Sequence, residues 1–218
     1  MPAILLFLLI VLAVVLFLVS RALAMAKRAE HIRAAPLPKG LYDKLRDRRP
    51  TLTPRDCQLV AQALRQFFLA YLKGGCQPVA MPSQVADDLW HEFILYTRDY
   101  ERFCQAAFGR FMHHTPAVAL GSVARSNQGL RRCWWHACRA ENINPRSPTR
   151  LPLLFAIDGK LAIEGGFRYV PDCGPLKRDA ATADGASVIY CGGDFGSSSV
   201  DGSTDGFGDG GCGGGGGS

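Results

Sequence analysis

Apolar positions follow three rhythms along the chain. From Ala3 to Val19, 17 consecutive residues are hydrophobic. As a helix this run spans roughly 26 Å, close to the ~30 Å hydrocarbon core of a bilayer. Between Thr53 and Glu141 apolar residues recur every three or four positions, the period of amphipathic helices. Thr53-Pro54 supplies an N-cap and first turn, Cys57, Val60, Ala61, Leu64, Phe67, Phe68 and Tyr71 form one face, and Gly74-Gly75 a stop. A second pattern starts at Ser83 and runs through Val85, Leu89, Phe93, Tyr96, Tyr100, Phe103 and Ala107 to Gly109, which predicts a single long helix. Thr115-Pro116 restarts a helix, and another runs from about Leu130 to Glu141 with Leu130, Cys133, Trp134 and Ala137 inward.

Beyond Pro152 the rhythm changes again. Leu153 to Ile157, then Asp158-Gly159, then Lys160 to Ile163 reads as a β-hairpin closed by a two-residue turn. Phe167–Val170 and Ser187–Tyr190 are further short strand candidates. From Cys191 the chain is Gly, Ser and Asp with few apolar groups, so disorder is expected there. The resulting architecture is mainly α, with a transmembrane helix at residues 3–20 and a basic juxtamembrane segment at 21–50. A helical domain at 51–145 carries a β-hairpin region at 146–190, and a disordered acidic Gly-rich tail occupies 191–218.

Charge refines this division. The 218 residues carry a net +6, but residues 1–178 alone are +12 and residues 179–218 are −6. From Arg21 to Arg49 there are nine Lys or Arg against three acids. The positive-inside rule then places the body in the cytoplasm and the N-terminus outside. A cleaved signal peptide, with Ala22-Leu23-Ala24 as its cleavage site, is the competing interpretation. In a reducing cytoplasm the eight cysteines default to thiols, and no Cys-x-x-Cys motif points to redox or zinc-ribbon chemistry. Export would instead make them a disulfide framework.

Reactive residue types concentrate between positions 85 and 116. Asp87 and His91 are four apart and share a helix face, where the carboxylate can fix the imidazole tautomer or both can bind a metal. Cys104, His113 and His114 are the candidates for completing such a metal set, with zinc or iron as the possible ion. A purely structural Asp87–His91 hydrogen bond is the simpler expectation. Cys104 lies nearer the apolar stripe than His91 does, and adjacent His113 and His114 cannot both point the same way in extended chain. His91-Glu92-Phe93-Ile94-Leu95 lacks the second His of a zinc-protease motif. No P-loop or dinucleotide fingerprint occurs. Arg125, Arg131, Arg132, Arg139, Arg146 and Arg150 have no nucleic-acid motif beside them, so nucleic acid is not the expected partner. Of Trp134 and Trp135, one is expected in the core and one near the surface.

The pieces Asp87-x-x-Trp90-His91 and Gly109-x-x-x-His113-His114-x-Pro116 resemble the glycine-rich domain-containing protein family. Cys133 to Cys173, with Leu151-Pro152-Leu153-Leu154-Phe155 and Gly165-Gly166, resembles its small bacterial membrane-anchored members. The similarity covers roughly Thr53 to Ser218, and it implies no activity. Two functions remain in view. One is a single-pass membrane protein whose helical cytoplasmic domain binds a protein partner as an interaction or scaffold module. The other is a membrane-tethered metal-dependent hydrolase or redox protein using Asp87, His91 and one of Cys104, His113 or His114.

Overall fold

The computed structural model describes residues 2–114, 123–171 and 189–196. It is mainly helical. In chain order the elements are α1 (Pro2–Ala34), α2 (Leu41–Arg48), α3 (Pro54–Lys73), α4 (Gln84–Leu95), α5 (Thr97–Phe108), α6 (Val123–Ala140), α7 (Leu153–Lys160), β1 (Arg168–Val170), β2 (Ile189–Cys191) and the short α8 (Gly192–Gly196).

Among the described residues, nothing buries the N-terminal half of α1. Its most apolar 18-residue stretch has a mean hydropathy of 3.4 and is wholly unburied. The helix is therefore long and apolar enough to cross a membrane, a property that an N-terminal signal sequence shares. Only its far end enters the body, where Ala29, Ile32 and the following Ala35 are buried. Arg65 of α3 donates to the carbonyls of Ile32 and Ala35, the latter at 2.6 Å, and so satisfies acceptors that the end of α1 leaves open.

α3 is the central helix and packs on α1, α2, α4, α6 and α7. Its start is the one the sequence calls for. The Asp56 amide donates to Thr53 Oγ1 at 3.2 Å and the Thr53 amide to Asp56 Oδ2 at 2.9 Å, a reciprocal capping box with Pro54 in the first turn. Phe67 and Phe68 on its inner face join Trp90, Phe93, Tyr100, Phe103 and Phe108 in a continuous aromatic core. Cys57 is fully buried in this packing. α2 buries Leu41 and Leu45 and is tied to α4 by charge, with Arg49 Nε 2.9 Å from buried Asp88 and Arg48 3.2 Å from both Asp88 and Glu92.

Four expectations need correction. The segment expected to be one helix from Ser83 to Gly109 is two, α4 and α5, broken at Tyr96, whose φ of −79° and ψ of 60° leave the helical region. The three- and four-residue rhythm continues across the break because both helices turn their apolar faces to the same core. Gly109 does end the second, at φ 70°, a left-handed conformation that favours glycine, with the Arg28 guanidinium packed beside it.

The hairpin at 153–163 is instead α7, with Leu154, Phe155 and Ile157 buried. A short apolar run fits strand and helix equally, and here distant side chains decide. The Leu153 amide donates to Glu141 Oε1 at 2.6 Å and the Leu154 amide to Gln66 Oε1 at 3.0 Å. These serve helix N-terminal donors that Pro152 cannot cap. Among the described residues the sheet is a parallel pair of β1 and β2, in register Arg168 to Ile189 and Val170 to Cys191.

Expected disorder does not begin at Cys191. Residues 189–196 form β2 and α8, with Phe195 buried against Trp134 and Phe155, and Gly192 lies so close to Trp134 that no Cβ fits. The rest of the tail, and the helix expected from Thr115-Pro116, lie outside the described residues. Finally, the cysteines are not all thiols. Cys57, Cys76, Cys104, Cys133 and Cys138 are free, but Cys191 is disulfide-bonded.

Candidate metal centre

α4 begins at Ser83, whose Oγ accepts from the Ala86 amide at 3.1 Å. Asp87 and His91 follow one turn apart on its half-exposed face. The His91 Nδ1 donates to the Asp87 carbonyl oxygen at 2.9 Å and lies 3.4 Å from Oδ2 of the same residue. A carbonyl only accepts, so Nδ1 is the donor in this bond and Nε2 is the nitrogen left to bind a metal.

The third member arrives from the segment after α5. His114 Nε2 stands 3.1 Å from Asp87 Oδ1, and its ring centroid is 4.2 Å from that of His91. Ligand atoms of Asp87, His91 and His114 all lie within 4.8 Å of one another. The side chains of His114 and Asp87 are partly buried, at 17% and 23% exposure, and that of His91 is more open at 42%.

Core residues hold this arrangement in place. Trp90, buried beside His91 on α4, places its ring 4.6 Å from His114 at 58°. Its Nε1 donates to the Tyr100 hydroxyl at 3.0 Å, which in turn donates to the Met112 carbonyl at 2.6 Å. Two residues before His114, the backbone is thus hydrogen-bonded to α5. Burial pushes the Tyr100 hydroxyl pKa well up, so it stays a donor.

Of the sequence candidates, Asp87, His91 and His114 come together and two do not. His113 points outward and packs its ring 4.9 Å from Phe111. Cys104 is fully buried in the core; burial pushes its thiol pKa up, while the Met112 backbone and Tyr100 side chain beside it pull the other way. Tyr100 is legible from sequence only as a core position, because its link to the His114 segment runs through the Met112 carbonyl.

Two imidazoles and one carboxylate suit zinc or a divalent first-row metal such as ferrous iron, and three protein ligands leave positions for water. Metal binding would displace the proton His114 shares with Asp87.

The chain belongs to the UCP032817-like family, whose model matches residues 27–195. This overturns the resemblance to the glycine-rich domain-containing family: the matched region stops before the glycine-rich end and nothing places the chain in that family. No curated protein and no solved structure matches the chain.

Proposed function

We propose that this chain is a membrane-anchored protein whose body binds one divalent transition-metal ion through Asp87, His91 and His114. The observation carrying this reading is the convergence of three donor side chains from two separate segments, 27 residues apart, within 4.8 Å. A hydrogen bond between Asp87 and His91 alone needs no second histidine. The three-ligand set with room for water is that of a site that activates a bound water or a small substrate, which is the metal-dependent hydrolase or redox role. Metal analysis of the full chain purified in detergent tests it. About one zinc or iron per chain, lost in Asp87→Ala, supports the reading; a metal-free chain that takes up neither ion on titration overturns it.

A second reading, an interaction or scaffold module, draws on a separate feature. Half-exposed Trp135 has the guanidiniums of Arg139 and Arg146 5.9 and 5.8 Å from its ring centroid, beside an open groove of about 660 Å³. Aromatic and arginine side chains of this kind anchor protein partners. Its expected outcome is protein binding that Trp135→Ala abolishes and metal chelation leaves intact.

The reading places the body in the cytoplasm and the N-terminus outside. Arg21, Lys27, Arg28 and Arg33 flank the span with Glu30 as the only acid on α1. Five free cysteines, four of them fully buried, also suit a reducing compartment better than a disulfide-built exported domain. Among the described residues the disulfide at Cys191 and the N-terminal position of α1 favour export instead.

A further inference from the structure

The body's attachment to α1 fixes how far it hangs from the bilayer. Gly109 of the α5 C-cap sits against the Arg28 guanidinium, and His31 lies 5.5 Å from Phe103 between ring centroids. α5 therefore runs back along α1 toward the span, with its C-terminal end leading. α3 runs the same way: Arg65 reaches Ile32 and Ala35, while Tyr71 packs 5.0 Å from Phe108.

Arg28 follows Ser20, the last residue assigned to the span, by eight positions. At about 1.5 Å per residue an upright helix lifts it roughly 12 Å beyond the hydrocarbon edge. The headgroup layer takes up about 5 to 8 Å of that. The α3 and α5 ends thus stand about 5 Å from the lipid headgroups, inside the ~8 Å Debye length of physiological salt.

Basic residues dominate this end. Exposed Arg28, Lys73 and Arg110 are joined by Arg132, whose stem lies against Gly74. Arg110 stands beside the Tyr71 hydroxyl. The crowding of cations is felt at Lys73, whose pKa is lowered by burial and then by Arg33 and Arg139. Glu30 on α1 is taken by Arg33 at 3.6 Å.

We infer that Lys73, Arg110 and Arg132, together with Arg28, form a docking surface for anionic phospholipid headgroups of the leaflet from which α1 emerges. α1 then acts as a short rigid post, and the charges set the tilt of the body on it. The surface lies on helix ends other than the metal site on α4, so this inference rests on the membrane reading of residues 3–20 and not on the metal.

The test uses the full chain in phosphatidylcholine nanodiscs with and without phosphatidylglycerol. Backbone hydrogen exchange is followed at residues 71–75 and 108–112. Slower exchange there in the anionic discs, abolished near 1 M salt, is the expected result. The double variant Lys73→Glu, Arg110→Glu loses that difference by roughly fivefold or more per residue while its melting temperature in neutral discs is unchanged. Equal exchange in both discs, or a salt-insensitive difference, overturns the proposal. A chain that fails to float with vesicles instead overturns the membrane reading itself, so the two failures are distinguishable.

Discussion

The Asp158 carboxylate accepts a hydrogen bond from the Ser83 hydroxyl at 2.7 Å, joining residues 75 apart in the chain. The same carboxylate accepts from the backbone amides of Gln84 at 2.7 Å, Val85 at 3.2 Å and Phe167 at 2.9 Å. A buried anion thus sits on the N-terminus of α4, the helix that carries Asp87 and His91, where the helix dipole favours it. Asp158→Ala strands several buried donors and is expected to cost about 3 kcal/mol, measured by urea unfolding in detergent. Ser83→Ala removes the cap on the Ala86 amide and the hydroxyl donor to Asp158 but leaves three backbone amides on the carboxylate, and is expected to cost about 1 to 2 kcal/mol.

That bond also explains why residues 153–160 form α7 where the sequence predicts a hairpin. Asp158-Gly159 is a strong local turn signal. The competing instructions come from Ser83, Gln66 and Glu141, which the fold alone brings to α7. By contrast, α3 carries its own start in Thr53, Pro54 and Asp56, so it was legible from sequence. The site was half legible for the same reason. Asp87 and His91 lie one helical turn apart, but the choice between His113 and His114 depends on Tyr100 gripping the Met112 carbonyl.

Stability should fall on mild acidification because of His136. Burial, followed by Lys73, Arg132 and Arg139, holds its pKa below the ordinary 6.5. The unfolded chain therefore takes up the proton first, and stability declines as pH drops below 6.5 until the folded pKa is reached. Glu141 acts lower in the scale. Burial pushes its carboxyl up, but hydrogen bonds from the Leu153 amide, Arg150 and Gln66 outweigh it and leave the pKa lowered, so its contribution is present above the ordinary 4.5 and lost below. Melting curves of the wild type and His136→Gln between about pH 7.5 and pH 5.5 should show the steeper decline in the wild type.

The free thiols divide by burial. Cys57, Cys104, Cys133 and Cys138 are fully buried, and burial raises the pKa of each, with Cys138 reaching about 12. Among the five free cysteines only Cys76 is partly exposed. Mass spectrometry after native alkylation should find Cys76 modified and the other four modified only after denaturation.

Charge on the α2–α4 junction should matter as well. Asp88 is buried and paired with Arg48 and Arg49, and Arg49 also donates to the Glu164 carbonyl at 3.1 Å. Arg49→Ala leaves the carboxylate with one partner that is itself half exposed. The expected loss is about 2 to 3 kcal/mol by chemical denaturation, with no loss of metal binding.

Two neighbouring histidines separate a metal ion held by Asp87, His91 and His114 from a chance grouping of donors. Zinc titration by calorimetry on the full chain in detergent should give one site per chain in the wild type and in His113→Ala. His114→Ala should lose that site while keeping its fold. Equal zinc binding in the two variants, or none in the wild type, would contradict the assignment.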